Sequence, residues 1–372
     1  MDCNQIMKKR KNITVGILTL PFNNKYGGIL QTYALQTYLK KLGYNAIHIY
    51  RDFPEKNKFI QVLKDVVKLL IGKTILKKLK SRYTFYFFKE YVNPKTERIR
   101  TSSDFKKLKK YNFSSIVVGS DQVWRKACAY GDLKMNYFMD FADDRINRMS
   151  YAASFGVDSW QFDADETEKI KNEIQKFTAV SLREKSGVEL VEKHWDIKAE
   201  HVVDPVMLLS PGDYIKLLEN EQDKKQEGDC LFYLLDFTEE KHRIVNDIAQ
   251  QFNYKTYSVN KDVVKWGIRS KPSVTSWLAG FYDARFIITD SFHGTMFAIL
   301  FNKPFLVIGN EKRGLTRFNS LLNDFNLSER MVLNQNNNYM KIVNKEIDWE
   351  NVQKIIEKKR EEAYNFLTAN IQ

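Results

Sequence analysis

Cysteine is scarce, and Cys3, Cys128 and Cys230 lie far apart without a Cys-x-x-Cys pair. That spacing gives neither a disulfide framework nor a zinc site, and it fits a reducing, cytoplasmic setting. Proline and glycine are also sparse, at 7 and 16 of 372 residues, whereas aromatic residues reach 13%. This is the balance of a packed globular protein, not of a disordered one. No stretch approaches the ~20 apolar residues of a membrane span. The start, M-D-C-N-Q-I-M-K-K-R-K-N-I-T-V-G-I-L-T-L-P-F, has the outline of a secretory leader. However, its apolar run of roughly ten residues ends at Pro21 and Asn23-Asn24 with no small-x-small cleavage site, so it reads as a first buried strand. No fixed short period recurs, which excludes a solenoid. With only five histidines and no His/Asp/Glu cluster at ligand spacing, neither a metal nor a resident cofactor is demanded.

At 372 residues the chain exceeds what one core usually fills, so two domains are expected. Its net charge of +13 is concentrated: residues 56–110 hold 17 Lys and Arg against 4 Asp and Glu, the whole excess. Within them, F-I-Q-V-L-K-D-V-V-K-L-L-I-G-K-T-I-L-K-K-L-K alternates apolar and lysine positions at helical spacing. Such a basic amphipathic helix can lie on an anionic membrane face or meet an anionic substrate, and it can equally be an ordinary helix with a solvated lysine face. Nucleic acid is not an expected partner, because none of its recognition motifs is present.

The first half alternates strand and helix: strand Ile13–Leu20, helix Gly27–Leu42 closed by Gly43, strand Ala46–Tyr50. Short β-branched runs at Ser115–Val118, Met149–Ser154, Ala179–Leu182 and Val202–Val203 fit a parallel sheet covered by helices. The second half repeats the pattern: strand Leu231–Leu235, helix Glu239–Phe252, strand Lys255–Val259, helix Val274–Tyr282, then strands Phe286–Thr289 and Phe305–Ile308. The expected fold is therefore α/β, with two Rossmann-like domains facing a cleft in the glycosyltransferase-B manner. The boundaries fall at 1–205, with the basic insertion 56–110, and at 206–345. The polar stretch Glu219–Asp229 is the weakest point between the halves, and a final helix, Trp349–Asn370 within 346–372, packs back across the domains.

In open α/β sheets, ligands gather at the carboxyl ends of strands, where helix N-termini offer N–H groups and a positive dipole end. Four segments put polar residues there: Asn24 with Gly27 and Gly28; Ser120, Asp121 and Gln122; Arg183; and Asp290-Ser291-Phe292-His293-Gly294-Thr295. Each also has a plain structural reading. Ser120 or Asp121 can cap a helix, Arg183 can make an interdomain ion pair, and His293 can be a hydrogen-bonded turn histidine. An imidazole with a pKa near ~6.5, placed beside a helix beginning at Thr295, is suited to give or take a proton next to a phosphate or carboxylate.

Six segments, in order, resemble the polysaccharide pyruvyl transferase family over roughly 13–330. They are Y-G-G-I-L-Q-T-Y-A-L-Q-T-Y-L-K-K-L-G-Y, V-V-G-S-D-Q-V-W, S-Y-A-A-S-F-G, S-L-R-E-K-S-G, V-V-D-P-V-M-L-L and I-I-T-D-S-F-H-G-T-M-F-A-I-L-F-N-K-P-F. The resemblance implies transfer of pyruvate from phosphoenolpyruvate, as co-substrate, to two hydroxyls of a sugar as a cyclic ketal, with phosphate release. It implies His293 and Arg183 as catalytic residues, with Arg183 gripping the donor across a crevice from His293. Ser291, Gly294, Thr295, Gly27 and Gly28 would hold donor or phosphate. Asn24, Ser120, Asp121, Gln122, Arg125 and Asp204 would line the acceptor side. Two departures stand out: Lys25 interrupts the family's Asn-Tyr-Gly, and Arg125 replaces an expected Asn. The acceptor would be a sugar, lipid-diphosphate-linked if the basic stretch meets the inner membrane face. A nucleotide-sugar glycosyltransferase of the same architecture and a non-catalytic envelope-assembly scaffold are the alternatives.

Overall fold

The computed structural model describes residues 10–53, 81–128, 133–219, 227–260, 263–265, 268–310, 314–333 and 339–372. The lysine-rich stretch that includes Lys73, Lys77, Lys78 and Lys80, and most of Glu219–Asp229, lie outside them. The described residues within 1–75, 88–208 and 359–372 form one compact unit, and those within 76–87 and 209–358 form another.

The first unit is built on a parallel sheet of β1 (Thr14–Leu18), β2 (Asn45–Ile49), β3 (Ser115–Val118) and β4 (Asn147–Ser150), in the order β2-β1-β3-β4. β1, β2 and β3 carry β-branched residues, β4 is the polar run N-R-M-S, and all four are largely buried, as strands covered by helices must be. Helix α1 (Tyr26–Lys41) connects β1 to β2 and ends at Gly43, whose φ of +95° suits only glycine comfortably. Helices α2 (Ala164–Ile174) and α3 (Lys185–Trp195) flank a small parallel pair, β5 (Ser181–Leu182) with β6 (Glu200–His201). The core is aromatic: Trp124, Phe138, Phe155 and Trp195 meet at centroid distances of 5.5–5.8 Å.

The second unit repeats the plan. Strands β7 (Cys230–Tyr233), β8 (Thr256–Tyr257), β11 (Phe286–Thr289), β12 (Phe305–Ile308) and β13 (Met331–Val332) lie parallel in the order β13-β12-β11-β7-β8. Helices α4 (Glu239–Gln251), α5 (Val274–Asp283) and α6 (Phe292–Leu300) connect them, and the antiparallel pair β9 (Val263–Lys265) and β10 (Ile268–Ser270) stands apart. The last helix, α7 (Trp349–Asn370), contributes residues to both units.

Several expected boundaries shift. Pairing to β5 is made by Glu200–His201, not Val202–Val203, because the chain turns toward Asp204 after one last bond from the Val202 amide to the Leu182 carbonyl. The strand expected over Met149–Ser154 stops pairing regularly at Ser150, since Ala152 takes a left-handed φ of +54°. The two-stranded β9–β10 hairpin had no counterpart in the sequence reading.

Candidate functional site

In each sheet the first strand has its successor on one side and a later strand on the other. This creates a switch point where the carboxyl ends of two strands open a crevice. In the first unit the switch lies between β1 and β3. The Thr19 hydroxyl, just past β1, donates to the Ser120 carbonyl, just past β3, at 2.8 Å. Gln31 of α1 donates to Thr19 Oγ1 at 3.1 Å and to the Gly28 carbonyl at 2.9 Å. The loops of the two strands are thereby fixed to the first turn of α1.

Asp121 sits at this point with φ +86°, a conformation that costs a non-glycine residue about 1–3 kcal/mol. Its carboxylate accepts from the Gln122 amide at 2.8 Å, and its backbone bridges to Ala153. Gly28 makes room for the other oxygen: a Cβ there would stand 3.3 Å from Asp121 Oδ2 and 3.6 Å from Asn23 Oδ1. Gly27 shares this first helical turn, and Asn24, half-buried, precedes the N-cap residue Lys25. Gln122 packs under Gly156, where a Cβ would lie 2.1 Å from its Nε2, and its Oε1 accepts from Arg125 at 3.3 Å.

Arg183 is buried among carboxylates of its own unit and makes no interdomain ion pair with them. Its side chain is only 1% exposed, and NH1 donates to Asp204 at 2.7 Å and to the Ser120 hydroxyl at 3.2 Å. Asp121 and Glu184 each lie 3.8 Å from the guanidinium. Burial pulls its pKa down, but the fields of Asp204, Glu184 and Asp121 outweigh that and raise it. NH1 is thereby committed to the protein's own groups, and these partners all belong to the same unit as Arg183. Asp204, meanwhile, accepts from Ser120 Oγ at 2.8 Å and from the Val206 amide at 3.1 Å. It is thus Asp204, and neither Ser120 nor Asp121, that closes a helical turn here.

His48 is a residue that motif reading passed over. It is 4% exposed on β2 and lines a small pocket with Thr19, Asn23, Gly28, Thr32 and Asp121. Its Nδ1 has no hydrogen-bond partner. Burial, aided by Lys95, lowers its pKa to about 3, so the ring is neutral. The available signal was a polar ring between two isoleucines in the buried run A-I-H-I.

The second switch point lies between β7 and β11. Here α6 begins at Phe292, not at Thr295, because Ser291 is the N-cap and its hydroxyl accepts from the Gly294 amide at 3.3 Å. The Thr295 amide donates to the Ser291 carbonyl at 2.9 Å. The amides of Gly294 and Thr295, expected to hold phosphate, are therefore used inside the helix. Gly294 has a packing reason: a Cβ would come within 2.6 Å of Thr289 Oγ1. Every residue of α6 is buried except His293, which stays half-exposed with its ring edge-on to Phe292 at 5.5 Å.

A buried network holds this turn. Lys241, 2% exposed, donates to Asp290 Oδ2 at 2.6 Å and to the Asp236 carbonyl at 3.0 Å. Asp290 also accepts from the amides of Leu235 (2.6 Å) and Asp236 (3.2 Å), while Asn310 donates to the Asp236 side chain at 2.6 Å. Loops following β7, β11 and β12 are joined in one hydrogen-bonded set that includes Asp290, three residues before His293. Nothing in the sequence marked Lys241.

Sequence-predicted residues thus fall into two groups. Ser120, Asp121, Arg183 and Asp204 are in contact in the first unit; Ser291, His293, Gly294 and Thr295 share one turn in the second. Among the described residues, no group of three or more His, Cys, Asp or Glu side chains could hold a metal ion, and no helix is long and apolar enough to cross a membrane.

The fold is similar to that of a UDP-GlcNAc 2-epimerase from Neisseria meningitidis, solved bound to UDP-GlcNAc. The TM-score is 0.51 at 10% identity, covering 96% of this chain and 100% of that one. A UDP-N-acetylglucosamine 2-epimerase from Rickettsia bellii gives 0.50 at 10% identity, over 96% and 97%. A glycosyltransferase from Rickettsia africae gives 0.48 at 11%, over 95% and 94%. At such identities the first two support the fold alone, an α/β chain with two Rossmann-like domains of the glycosyltransferase-B type. No curated protein matches the chain in sequence. The family model for polysaccharide pyruvyl transferase matches residues 26–312, most of the chain, and the chain belongs to that family.

Proposed function

We propose that the protein transfers pyruvate from phosphoenolpyruvate to two hydroxyls of a sugar, forming a cyclic ketal and releasing phosphate, in the synthesis of a cell-surface polysaccharide or exopolysaccharide. Family membership supports the reaction class. The observation that carries the reading is His293: the single residue of α6 that is not fully buried, though its Nε2 is, at the switch point of its sheet. An imidazole near neutrality can protonate the donor's methylene carbon and later accept a proton. The adjacent carbon then becomes cationic, the first sugar oxygen bonds to it, the C–O bond to phosphate breaks, and the second oxygen closes the ring. Of the two hydroxyl protons lost, one balances the proton gained by the methyl group and the other leaves with phosphate.

Arg125 is the cation we assign to anionic groups bound at the first unit's switch point. It is half-buried, makes one bond to Gln122, and its buried Nε has no hydrogen-bond partner. A guanidinium suits a planar carboxylate or a phosphate through two parallel N–H groups. Asp121, held rigidly beside Gly28, is the acceptor for a sugar hydroxyl. The decisive experiment measures phosphate release from phosphoenolpyruvate with a panel of free and lipid-linked sugars. Release that depends on a sugar supports the reading. Absence of release with every sugar, together with thermal stabilisation by a nucleotide sugar and none by phosphoenolpyruvate, would replace it with glycosyl transfer.

A further inference from the structure

The first unit carries a second concavity, at the opposite ends of its strands from Ser120 and Asp121. A groove of about 700 Å3 opens beneath the 3-10 helical segment Ser102–Tyr111, beside the amino-terminal ends of β3 and β4. Volumes of this size are those of small-molecule pockets, whereas protein partners generally meet on broader, flatter faces. Its floor is apolar: Phe105, Leu108, Phe113, Ile116, Phe141 and Ile146. Phe105 stacks on Phe141 with centroids 3.8 Å apart, giving the floor a flat aromatic wall.

The rim is cationic. Four lysines project from the 3-10 segment, and two are matched by carboxylates: Lys107 by Asp104 at 2.8 Å, and Lys110 by Glu97. Lys106 and Lys109, the two that line the groove, have no carboxylate within ion-pair distance among the described residues. The groove's one acidic residue, Asp143, is engaged by Arg145 at 2.9 and 3.1 Å. The Arg145 bonds, with a smaller contribution from Lys109, hold its carboxyl far below the usual range. The rim therefore keeps two uncompensated positive charges above an apolar floor.

This sign narrows the occupant. A second copy of the chain, docked by the same face, would set lysine against lysine. Residues 56–80 hold eight lysines against one aspartate, so they too carry the wrong sign. The complement of an apolar floor with an uncompensated cationic rim is a hydrocarbon chain ending in an anion. We propose that this groove binds a single-chain anionic amphiphile, its tail on the Phe105–Phe141 wall and its phosphate-like head between Lys106 and Lys109. The site is separate from the pyruvyl-transfer reading and stands or falls without it.

The full chain should bind dodecyl phosphate, below its micelle concentration, at least tenfold more tightly than dodecyl maltoside or inorganic phosphate. The double variant Lys106→Glu/Lys109→Glu, altering two exposed side chains, should lose at least tenfold in affinity while keeping the parent's thermal midpoint. Ala142→Trp, which fills the groove without touching the charges, should lose binding as well. Co-sedimentation with phosphatidylcholine vesicles containing phosphatidylglycerol, abolished in the double variant, would overturn the single-chain occupant in favour of a bilayer surface. Dodecyl phosphate binding without vesicle binding identifies a free amphiphile. Equal affinity for dodecyl phosphate and dodecyl maltoside would overturn the proposal, as would unchanged affinity in the charge-reversed variant. Competition by polyglutamate as strong as that by dodecyl phosphate would also overturn it, by removing the role of the tail.

Discussion

His293 and Gly294 stand side by side, yet their substitutions should separate chemistry from packing. His293→Ala removes a half-exposed ring from the second position of α6 and should leave the fold intact. On the proposed mechanism it should lower turnover by on the order of 10² or more, the range of a positioned acid–base group. Phosphate-release kinetics beside a melting curve check both halves, and a near-parental rate would take His293 out of the reaction. Gly294→Ala does the reverse. Its methyl would have to enter the 2.6 Å space beside Thr289 Oγ1, and overpacking of this kind costs about 1–3 kcal/mol. Urea unfolding should show that loss, with part of it recovered in Gly294→Ala/Thr289→Ala; no recovery would mean that the clash lies elsewhere.

Elements are tied together at the two switch points by buried charges, and those charges should behave as fastenings. Lys241→Met would leave the Asp290 carboxylate buried without its cation, a change that typically costs about 3–5 kcal/mol. Because Asp290 also holds the Leu235 and Asp236 amides, turnover should fall along with stability. A variant as stable as the parent in chemical denaturation would show that the pair is dispensable. Arg183→Met is expected to destabilise the first unit similarly, since Asp204 and Glu184 would lose their shared partner. Arg125→Lys, in contrast, should raise the KM for phosphoenolpyruvate while unfolding near the parent's midpoint. If Arg183→Lys and not Arg125→Lys gave that isolated KM effect, the assignment of the two arginines would be reversed.

For the molecule as a whole, stability should depend on pH through His48. Its folded-state pKa is about 3 against an ordinary value of 6.5, so between these limits the unfolded chain binds more protons. Its contribution is complete above pH 6.5 and falls by about 1.4 kcal/mol for each unit toward 3. Unfolding free energies measured from pH 7 to pH 4 should therefore drop faster for the parent than for His48→Gln, and parallel curves would contradict this. The two sheets themselves were legible in the sequence. Short β-branched runs such as S-I-V-V and F-I-I-T have the period and length of buried strands, and Gly43 marks a helix end by its own backbone freedom. The turn carrying His293 could likewise be found from an apolar strand followed by polar residues and glycine. What no local pattern encodes is which side chains a remote segment has already engaged. Arg183 is neutralised by Asp204 and bonded to Ser120, 21 and 63 residues away, and Lys241 reaches Asp290 across 49. Sequence alone determined most of the strands and helices and the turn that carries His293, because those depend on neighbours along the chain. Only tertiary structure decided which cations stay available to a ligand and which are fastenings, because burial and pairing arise when distant strand ends are brought together.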